Sequence, residues 1–494
     1  MSLNDFIYDY NELLSKAFIE NKNTFKALAS PTLNKEETIT FLYRRITNYI
    51  QTSNKKFDKE NSLLIGLKFI IRLSYMFYKL IITSIRFRTK SIPNDCVYIR
   101  TWLIPRSIIN GKVRDDYFRD LIDDLSAKHN VFVGFQPLEY GKILNQYSKS
   151  IKPNNYIIPI GLLSIFDILK LFITYLKTAK IRLNQTYTFK GIDVSELIND
   201  SLKLDYYKLR SFQAYIELSI AKKIKLFNPK LFLYMFENQA WENSYLSVFK
   251  DLKTKTIGYQ SSGFSYRFLN FFPSELDENY FLYPDKILTV GDMYTNLLKN
   301  YGHFPIPVQT FAALRFNYPM INGEYIIEKP VLDIHNRLLY AFPSHFYQYK
   351  KVVKDLIDIF GNTEIDVHLK FHPLFSGKKL KFRLPPNFSV VDRIQMKSLK
   401  DKYDIILFND NSFGIESLLM GVKSFEYEFG EIYPENRLLD FDLYNYRIDK
   451  KDLIEIRDSI LNNSIAKEIN LEHIQQYIGN MYRPYIGNIN HIIN

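Results

Sequence analysis

Up to residue 90 the apolar residues recur mainly at helical spacing, with few strand-like alternations. After Ser91 the rhythm changes. Short runs rich in β-branched and aromatic residues predict strands at Val97–Arg100 (VYIR), Val131–Phe135 (VFVGF), Leu231–Met235 (LFLYM) and Lys255–Tyr259 (KTIGY), with helical stretches such as Asp115–Lys128 between them. The pattern restarts beyond Pro284. Strands are predicted at Lys286–Val290, Val308–Phe311, Arg337–Phe342, Ile365–Phe371, Phe388–Val391, Asp404–Phe408 and Lys423–Tyr427, and helices at Tyr347–Phe360 and Phe413–Met420. Strands alternating with helices imply βαβ units and parallel sheets covered by helices. The expectation is an α/β chain of two successive Rossmann-like halves. It divides into a helical region at 1–90, sheet domains at 91–284 and 285–430, and a helical segment at 431–494 that packs back on the domains. In such sheets ligands bind beyond the carboxyl ends of the strands, so the loops there are where chemistry is sought.

Two apolar stretches carry basic residues on one side. In residues 62–90, SLLIGLKFIIRLSYMFYKLIITSIRFRTK, the positions of Lys68, Arg72, Lys79 and Arg86 fall within about 40° of one another at 100° per residue. The rest of the helix surface is Leu, Ile, Phe, Tyr and Met. Two readings fit: a helix lying on an anionic membrane surface, or a core-facing helix with one solvated side. Ile157–Arg182 repeats the pattern with Lys170, Lys177, Lys180 and Arg182. Neither stretch has the uninterrupted apolar length of a membrane span, so peripheral attachment is expected rather than insertion.

Composition narrows the classes. The chain has 494 residues, 46% hydrophobic and 24% charged, enough to bury globular cores. Its single cysteine, Cys96, excludes an intrachain disulfide, a CxxC pair and any multi-cysteine metal site. Sixty-five Lys and Arg against 53 Asp and Glu leave a net charge of +12, which points to an anionic partner. Compact Arg/Lys tracts, zinc-finger spacing and RNP-like aromatic signatures are absent from the sequence, so a nucleic-acid partner is not expected. The acidic start MSLNDFIYDYNELL does not read as a secretion signal, and the expected location is the inner face of a cytoplasmic membrane.

Candidate chemistry clusters after predicted strands. In Leu369-Lys370-Phe371-His372-Pro373, the proline ends the strand and leaves His372 at the sheet's carboxyl edge. Its imidazole can donate to a departing phosphate oxygen, and Lys370 projects to the same face. In the run 404–421, DIILFNDNSFGIESLLMG, a strand, a polar turn and an apolar helix follow in order. Asn411 or Ser412 would cap the helix and aim its first amides at a phosphate, with Glu416 one turn inside and able to bind a ribose diol. Phe236-Glu237-Asn238-Gln239-Ala240-Trp241-Glu242 follows another strand, and Glu237 there can serve as a base for an acceptor hydroxyl. The Arg114-Asp115-Asp116-Tyr117 turn offers Asp116 for the same role. Ser344 and Arg315 are further candidates for donor phosphate. Gln260, Ser261 and Glu242 are candidates for the acceptor side. Asp440-Phe441-Asp442 matches a metal-binding DxD in form but follows both sheets. HExxH, GxxxxGK[ST] and GxGxxG are absent from the sequence.

The KFHP stretch followed by FNDNSFGIESLLMG resembles the His-Pro and serine motifs of bacterial GT-B glycosyltransferases, especially those using CMP-activated sialic acid or Kdo. It is also similar to the CDP-glycerol glycerophosphotransferases of teichoic acid synthesis. ENQAWE and IGYQSS resemble stretches of bacterial surface-carbohydrate biosynthesis proteins. The resemblance implies a GT-B architecture in which two Rossmann-like domains face a cleft, with 91–284 binding acceptor and 285–430 binding nucleotide sugar. It implies transfer of Kdo or another nonulosonic acid from a CMP-sugar to a surface polysaccharide or lipid-linked glycan. No cofactor or metal is expected beyond the donor substrate. The donor group is Ser344, Lys370, Pro373, Asn411, Ser412, Glu416 and Arg315, with His372 assisting departure of CMP. The alternatives are a CDP-polyol phosphotransferase and a non-catalytic, membrane-associated assembly scaffold. Sialyltransferases with the His-Pro motif pair it with an acidic, glycine-ending motif. Here Tyr117 follows Asp115-Asp116, which leaves the base open between Glu237 and Asp116.

Overall fold

The computed structural model describes residues 3–22, 24–36, 62–89, 92–138, 140–264, 268–316, 320–321, 324–325, 335–343, 349–372, 383–391, 394–409, 411–428, 446–462, 464, 471–487, 489 and 492. The chain forms two compact units. The first comprises residues 1–317 and 482–494, the second residues 318–481.

The first unit is built on seven parallel strands: β1 (Val97–Leu103), β2 (Val131–Pro137), β3 (Tyr156–Ile157), β4 (Leu231–Met235), β5 (Lys255–Tyr259), β6 (Lys286–Thr289) and β7 (Val308–Thr310). Their order is β7-β6-β5-β4-β1-β2-β3. The chain winds outward from β1 to β3, then returns beside β1 and winds the other way, so the topological switch lies between β1 and β4. β4 is buried at every position, as a parallel strand covered on both faces should be. The helices of this unit include α1 (Leu3–Ile19), α2 (Ser62–Arg86), α3 (Ile165–Thr178), α4 (Phe212–Ile224) and α5 (Ala240–Phe249). Tyr10, Leu14 and Phe18 of α1 enter a core with Leu197, Ile198 and Phe281. The described N-terminal helices are therefore part of the first unit rather than a separate domain.

The second unit has six parallel strands: β8 (Arg337–Ala341), β9 (Asp366–Lys370), β10 (Phe388–Val390), β11 (Ile405–Phe408), β12 (Lys423–Tyr427) and β13 (Arg447–Ile448). Their order, β10-β9-β8-β11-β12-β13, is the 3-2-1-4-5-6 of a dinucleotide-binding fold, with the switch between β8 and β11. The helices α6 (Tyr349–Phe360), α7 (Ser412–Leu419), α8 (Lys450–Leu461) and α9 (Leu471–Met481) belong to this unit. Val352, Val353 and Leu356 of α6 and Leu453 and Ile456 of α8 pack on Leu338, Tyr340, Val367 and Leu407 of the sheet.

The fold class expected from the sequence, α/β with two parallel sheets, is the one observed. The boundary expected at 284/285 is corrected to 317/318, because β6 pairs with β5 and β7 with β6, which makes both strands members of the first sheet. The C-terminal segment divides as well: α8 and α9 stay with the second unit, while 482–494 returns to the first. There the Arg483 amide donates to Val290 O at 2.7 Å, and its guanidinium pairs with Asp292 at 2.9 Å. The helix expected over Asp115–Lys128 forms only at Asp120–Ser126, because Asp115 organises a turn before it.

Candidate functional site

The second unit assembles a polar edge at its switch point. Register places Ala341 of β8 between Lys370 of β9 and Phe408 of β11, so the loops leaving these three strands emerge side by side. Asn411 ties two of them. Its Nδ2 donates to Ala341 O at 2.8 Å and to Asn409 O at 3.1 Å, while its Oδ1 accepts from the Gly414 amide at 3.0 Å. Asn411 is therefore the N-cap of α7, and Ser412 is its first helical residue. Of the two capping candidates read from the sequence, the structure selects Asn411. Capping leaves the first amides of an eight-residue helix at this edge, where the positive end of the peptide dipoles favours an anion.

Gly414 permits this approach. A Cβ there would lie 1.9 Å from Cγ of Phe408, whose ring is buried beneath the helix. Lys370 extends from β9 until its Nζ stands 4.5 Å from the centroid of the Phe413 ring. His372 follows two residues on and is half-buried. Its amide donates to the Tyr349 hydroxyl, which itself donates to Pro343 O at 2.8 Å. Glu416 is half-buried one turn into α7. Lys370, His372, Asn411, Ser412 and Glu416 thus share the carboxyl edge of one sheet. Ser344, Pro373 and the 440–442 triplet lie outside the described residues.

The first unit collects carboxylates at its own switch point. Glu237 follows β4. Its amide donates to Glu242 Oε1 at 2.8 Å, and its carboxylate accepts from the Ser262 hydroxyl at 3.4 Å. Burial raises its pKa, against the opposing charge of Arg100, the Ser262 bond and the charge of Arg315. A carboxyl in that position retains or takes up a proton more readily than a solvated one, which suits acid–base work.

Arg100 was not singled out by sequence reasoning, although a cation inside a buried strand is a signal in itself. It is fully buried, pairs with Glu217 of α4 at 2.6 Å, and lies between the rings of Trp102 and Trp241 at 3.8 and 3.5 Å. Glu36 was also missed. The Ala240 amide at the start of α5 donates to its Oε1 at 2.6 Å. Burial pushes its carboxyl up to about 7, with the amide bond opposing and the Asp205 charge adding. Nothing in the local sequence marks Glu36, because its partner is about two hundred residues away.

Several expected roles are corrected by position. Glu242 is the third residue of α5 and closes a capping box with the N-cap Gln239, accepting from the amides of Glu237 and Gln239 at 2.8 and 3.0 Å, and at 2% exposure it does not line an acceptor surface. Gln260 is fully buried. Its side chain is spent on the Val290 amide and Ser262 O, so it too is structural. Ser261 is buried, and its Oγ has no hydrogen-bond partner among the described residues. Asp115 accepts from the Thr101 hydroxyl at 2.6 Å and the Tyr117 amide at 2.9 Å, and burial raises its pKa to about 6.

Asp116, the other base candidate, is ringed by guanidinium groups: Arg119 at 3.1 Å, Arg106 at 3.5 Å and Arg315 at 3.6 Å. That makes it an anchor for cations rather than an open base. Arg315 was expected on the donor side of the second sheet. It belongs to the first unit, held by Asp116 with its guanidinium 4.9 Å from the Tyr117 ring centroid. Among the described residues, no group of three or more His, Cys, Asp or Glu side chains is arranged to hold a metal ion.

No family model and no curated protein sequence matches the chain. Solved structures do align. The glycotransferase of kitacinnamycin aligns over 79% of this chain and 95% of its own, at 11% identity and a TM-score of 0.40. CalG4, the calicheamicin glycosyltransferase, covers 78% and 94% at 9% identity and a TM-score of 0.41. The UDP-N-acetylglucosamine 2-epimerase of Rickettsia bellii covers 78% and 96% at 8% identity and a TM-score of 0.42. These similarities include both transferases and an epimerase, and at this level they assign no activity to the chain.

Proposed function

We propose that the protein is a glycosyltransferase that moves an acidic sugar, Kdo or another nonulosonic acid, from a CMP-sugar to a surface polysaccharide or lipid-linked glycan. The observation that carries the donor half is the Asn411-capped start of α7 beside His372 and Lys370 at the switch point of a 3-2-1-4-5-6 sheet. The order of strands supports a nucleotide, and the helix amides with Lys370 support its phosphate. The cytidine base and the acidic sugar rest on the resemblance of the KFHP and FNDNSFGIESLLMG motifs.

In this reading the phosphate of CMP meets the amides of Ser412 and Phe413, and Glu416 accepts from the ribose. His372 donates a proton to the phosphate oxygen as its bond to the anomeric carbon breaks. The acceptor hydroxyl forms the new bond and loses its proton to a base; taken by itself, the first unit offers Glu237, whose raised pKa suits it to receive one.

Calorimetric titration of the full chain with CMP, CDP and UDP, followed by transfer assays with the corresponding sugar donors, tests this reading. Tightest binding of CMP is expected, with turnover reduced about 10²–10⁴-fold in His372→Ala while CMP affinity is largely kept. Absence of nucleotide binding at millimolar concentration would reject the proposal. UDP preference would overturn the cytidine assignment. A phosphate-bearing product would make the enzyme a CDP-polyol phosphotransferase, and full function in His372→Ala would favour the scaffold.

A further inference from the structure

Helices α2 and α3 of the first unit are apolar on two sides, and only one of those sides packs into the core. On α2, Phe69 and Leu80 are buried, and Phe69 stacks on Tyr206 with centroids 5.0 Å apart. Phe77 meets Phe172 of α3 edge-on at 5.0 Å, which joins the two helices. On the outward side of α2, Leu67, Ile71, Tyr78 and Ile85 are 53–61% exposed. On α3, Ile168, Leu171 and Tyr175 face the core, while Phe166 is 81% and Ile173 52% exposed. Thirteen of the 24 large apolar side chains exposed among the described residues lie on these two helices. Concentration on that scale marks an interaction surface rather than the scattered exposure of a soluble face.

The charge on these two helices is predominantly basic. α2 contains no acidic residue and carries Lys68, Arg72, Lys79 and Arg86. At 100° per residue these occupy about 40° of the helix circumference, between the buried and the exposed apolar sides. α3 adds Lys170 and Lys177, both exposed, and its one acid, Asp167, pairs with Lys223 at 2.8 Å. No helix among the described residues is long and apolar enough to cross a membrane.

We propose that this face rests on an anionic bilayer surface, with the outward apolar side chains at the boundary between headgroups and acyl chains and the basic side chains against lipid phosphates. Charge complementarity favours lipid over a second copy of the chain. A two-fold interface would set the same row of cations against itself. The inference is independent of the transferase reading, since it uses no residue of either switch point.

Co-sedimentation of the full chain with phosphatidylcholine vesicles, alone or mixed with phosphatidylglycerol, tests it. Pelleting is expected with the anionic mixture and should weaken at high salt. Neutralising one cation should lower the apparent partition about fivefold, so Lys170→Gln with Lys177→Gln should lower it by more than tenfold. Ile71→Asp with Phe166→Asp should abolish pelleting while circular dichroism and thermal unfolding remain those of the unsubstituted chain, because both positions are solvent-facing. The proposal is overturned by absence of pelleting with anionic vesicles, or by undiminished pelleting of the Asp double variant. Sedimentation velocity showing a dimer that the same variant converts to monomer would equally overturn it, by assigning the face to a second copy.

Discussion

Replacing Glu36 with glutamine should stabilise the first unit at alkaline pH and do nothing at acidic pH. Burial moves the Glu36 carboxyl from 4.5 to about 7, assisted by the Asp205 and Glu237 charges and opposed by the Ala240 amide and Arg210. Below pH 4.5 the group is protonated whether the chain is folded or not. Between 4.5 and about 7 the folded state keeps a proton that the unfolded state has released, so stability falls as the pH rises. Above about 7 the loss is complete. At 1.4 kcal/mol per pH unit it amounts to about 3 kcal/mol, an upper figure because the residue retains some contact with solvent. Glutamine removes the charge, and its Oε1 can still accept from the Ala240 amide.

The chain's two tryptophans, Trp102 and Trp241, both lie in the first unit, so urea unfolding followed by tryptophan emission reports on that unit. The variant should match the parent near pH 4.5 and exceed it by up to about 3 kcal/mol at pH 8. An equal difference at both pH values, or a variant less stable at pH 8, would refute the reasoning.

The remaining predictions concern packing around the two switch points. Glu217→Ala strands the Arg100 guanidinium between two indoles and should cost about 3–5 kcal/mol. Combining it with Arg100→Met should cost less than the sum of the single changes, and a double-mutant cycle showing additivity would contradict a coupled pair. Gly414→Ala drives a methyl group to 1.9 Å from Phe408 Cγ, so either the ring or α7 must move. A loss of about 1–3 kcal/mol in the second unit and weaker CMP binding by calorimetry are expected, and unchanged values of both would show that the close approach is dispensable.

The strands were legible because both sheets are buried and parallel, which forces near-continuous apolar runs such as Leu231–Met235 and Ile405–Phe408. Two strands of these sheets escaped notice, Tyr156–Ile157 and Arg447–Ile448, since two residues set no period. The domain boundary escaped for a different reason. Periodicity says that Lys286–Thr289 is a strand but not which neighbour it bonds, and the decisive fact is its pairing with Ile257–Tyr259. The sequence likewise showed cations gathered on one side of α2. It left open whether the remaining apolar surface was core or solvent-facing, and the structure divides that surface into one side of each kind.

The same distinction explains which site residues could be found. His372, Asn411 and Glu237 each follow a strand directly, so local pattern alone assigns them to a carboxyl edge. Arg100 and Glu36 act through Glu217 and the Ala240 amide, contacts made across 117 and 204 positions of chain. Glu242 was a candidate for the acceptor side, yet its short spacing from Glu237 is what lets it close the loop by accepting the Glu237 and Gln239 amides. A polar side chain near a strand end therefore has two competing uses, holding the loop or facing the ligand. Backbone amides left over at a helix start decide between them. Before α5 Glu242 accepts the amides of Glu237 and Gln239, and Glu36 accepts that of Ala240 at the first helical position, so carboxylates already occupy this start, whereas among the described residues Asn411 accepts one amide of α7, that of Gly414. This difference is what supports the proposal that the phosphate meets the edge of the second sheet.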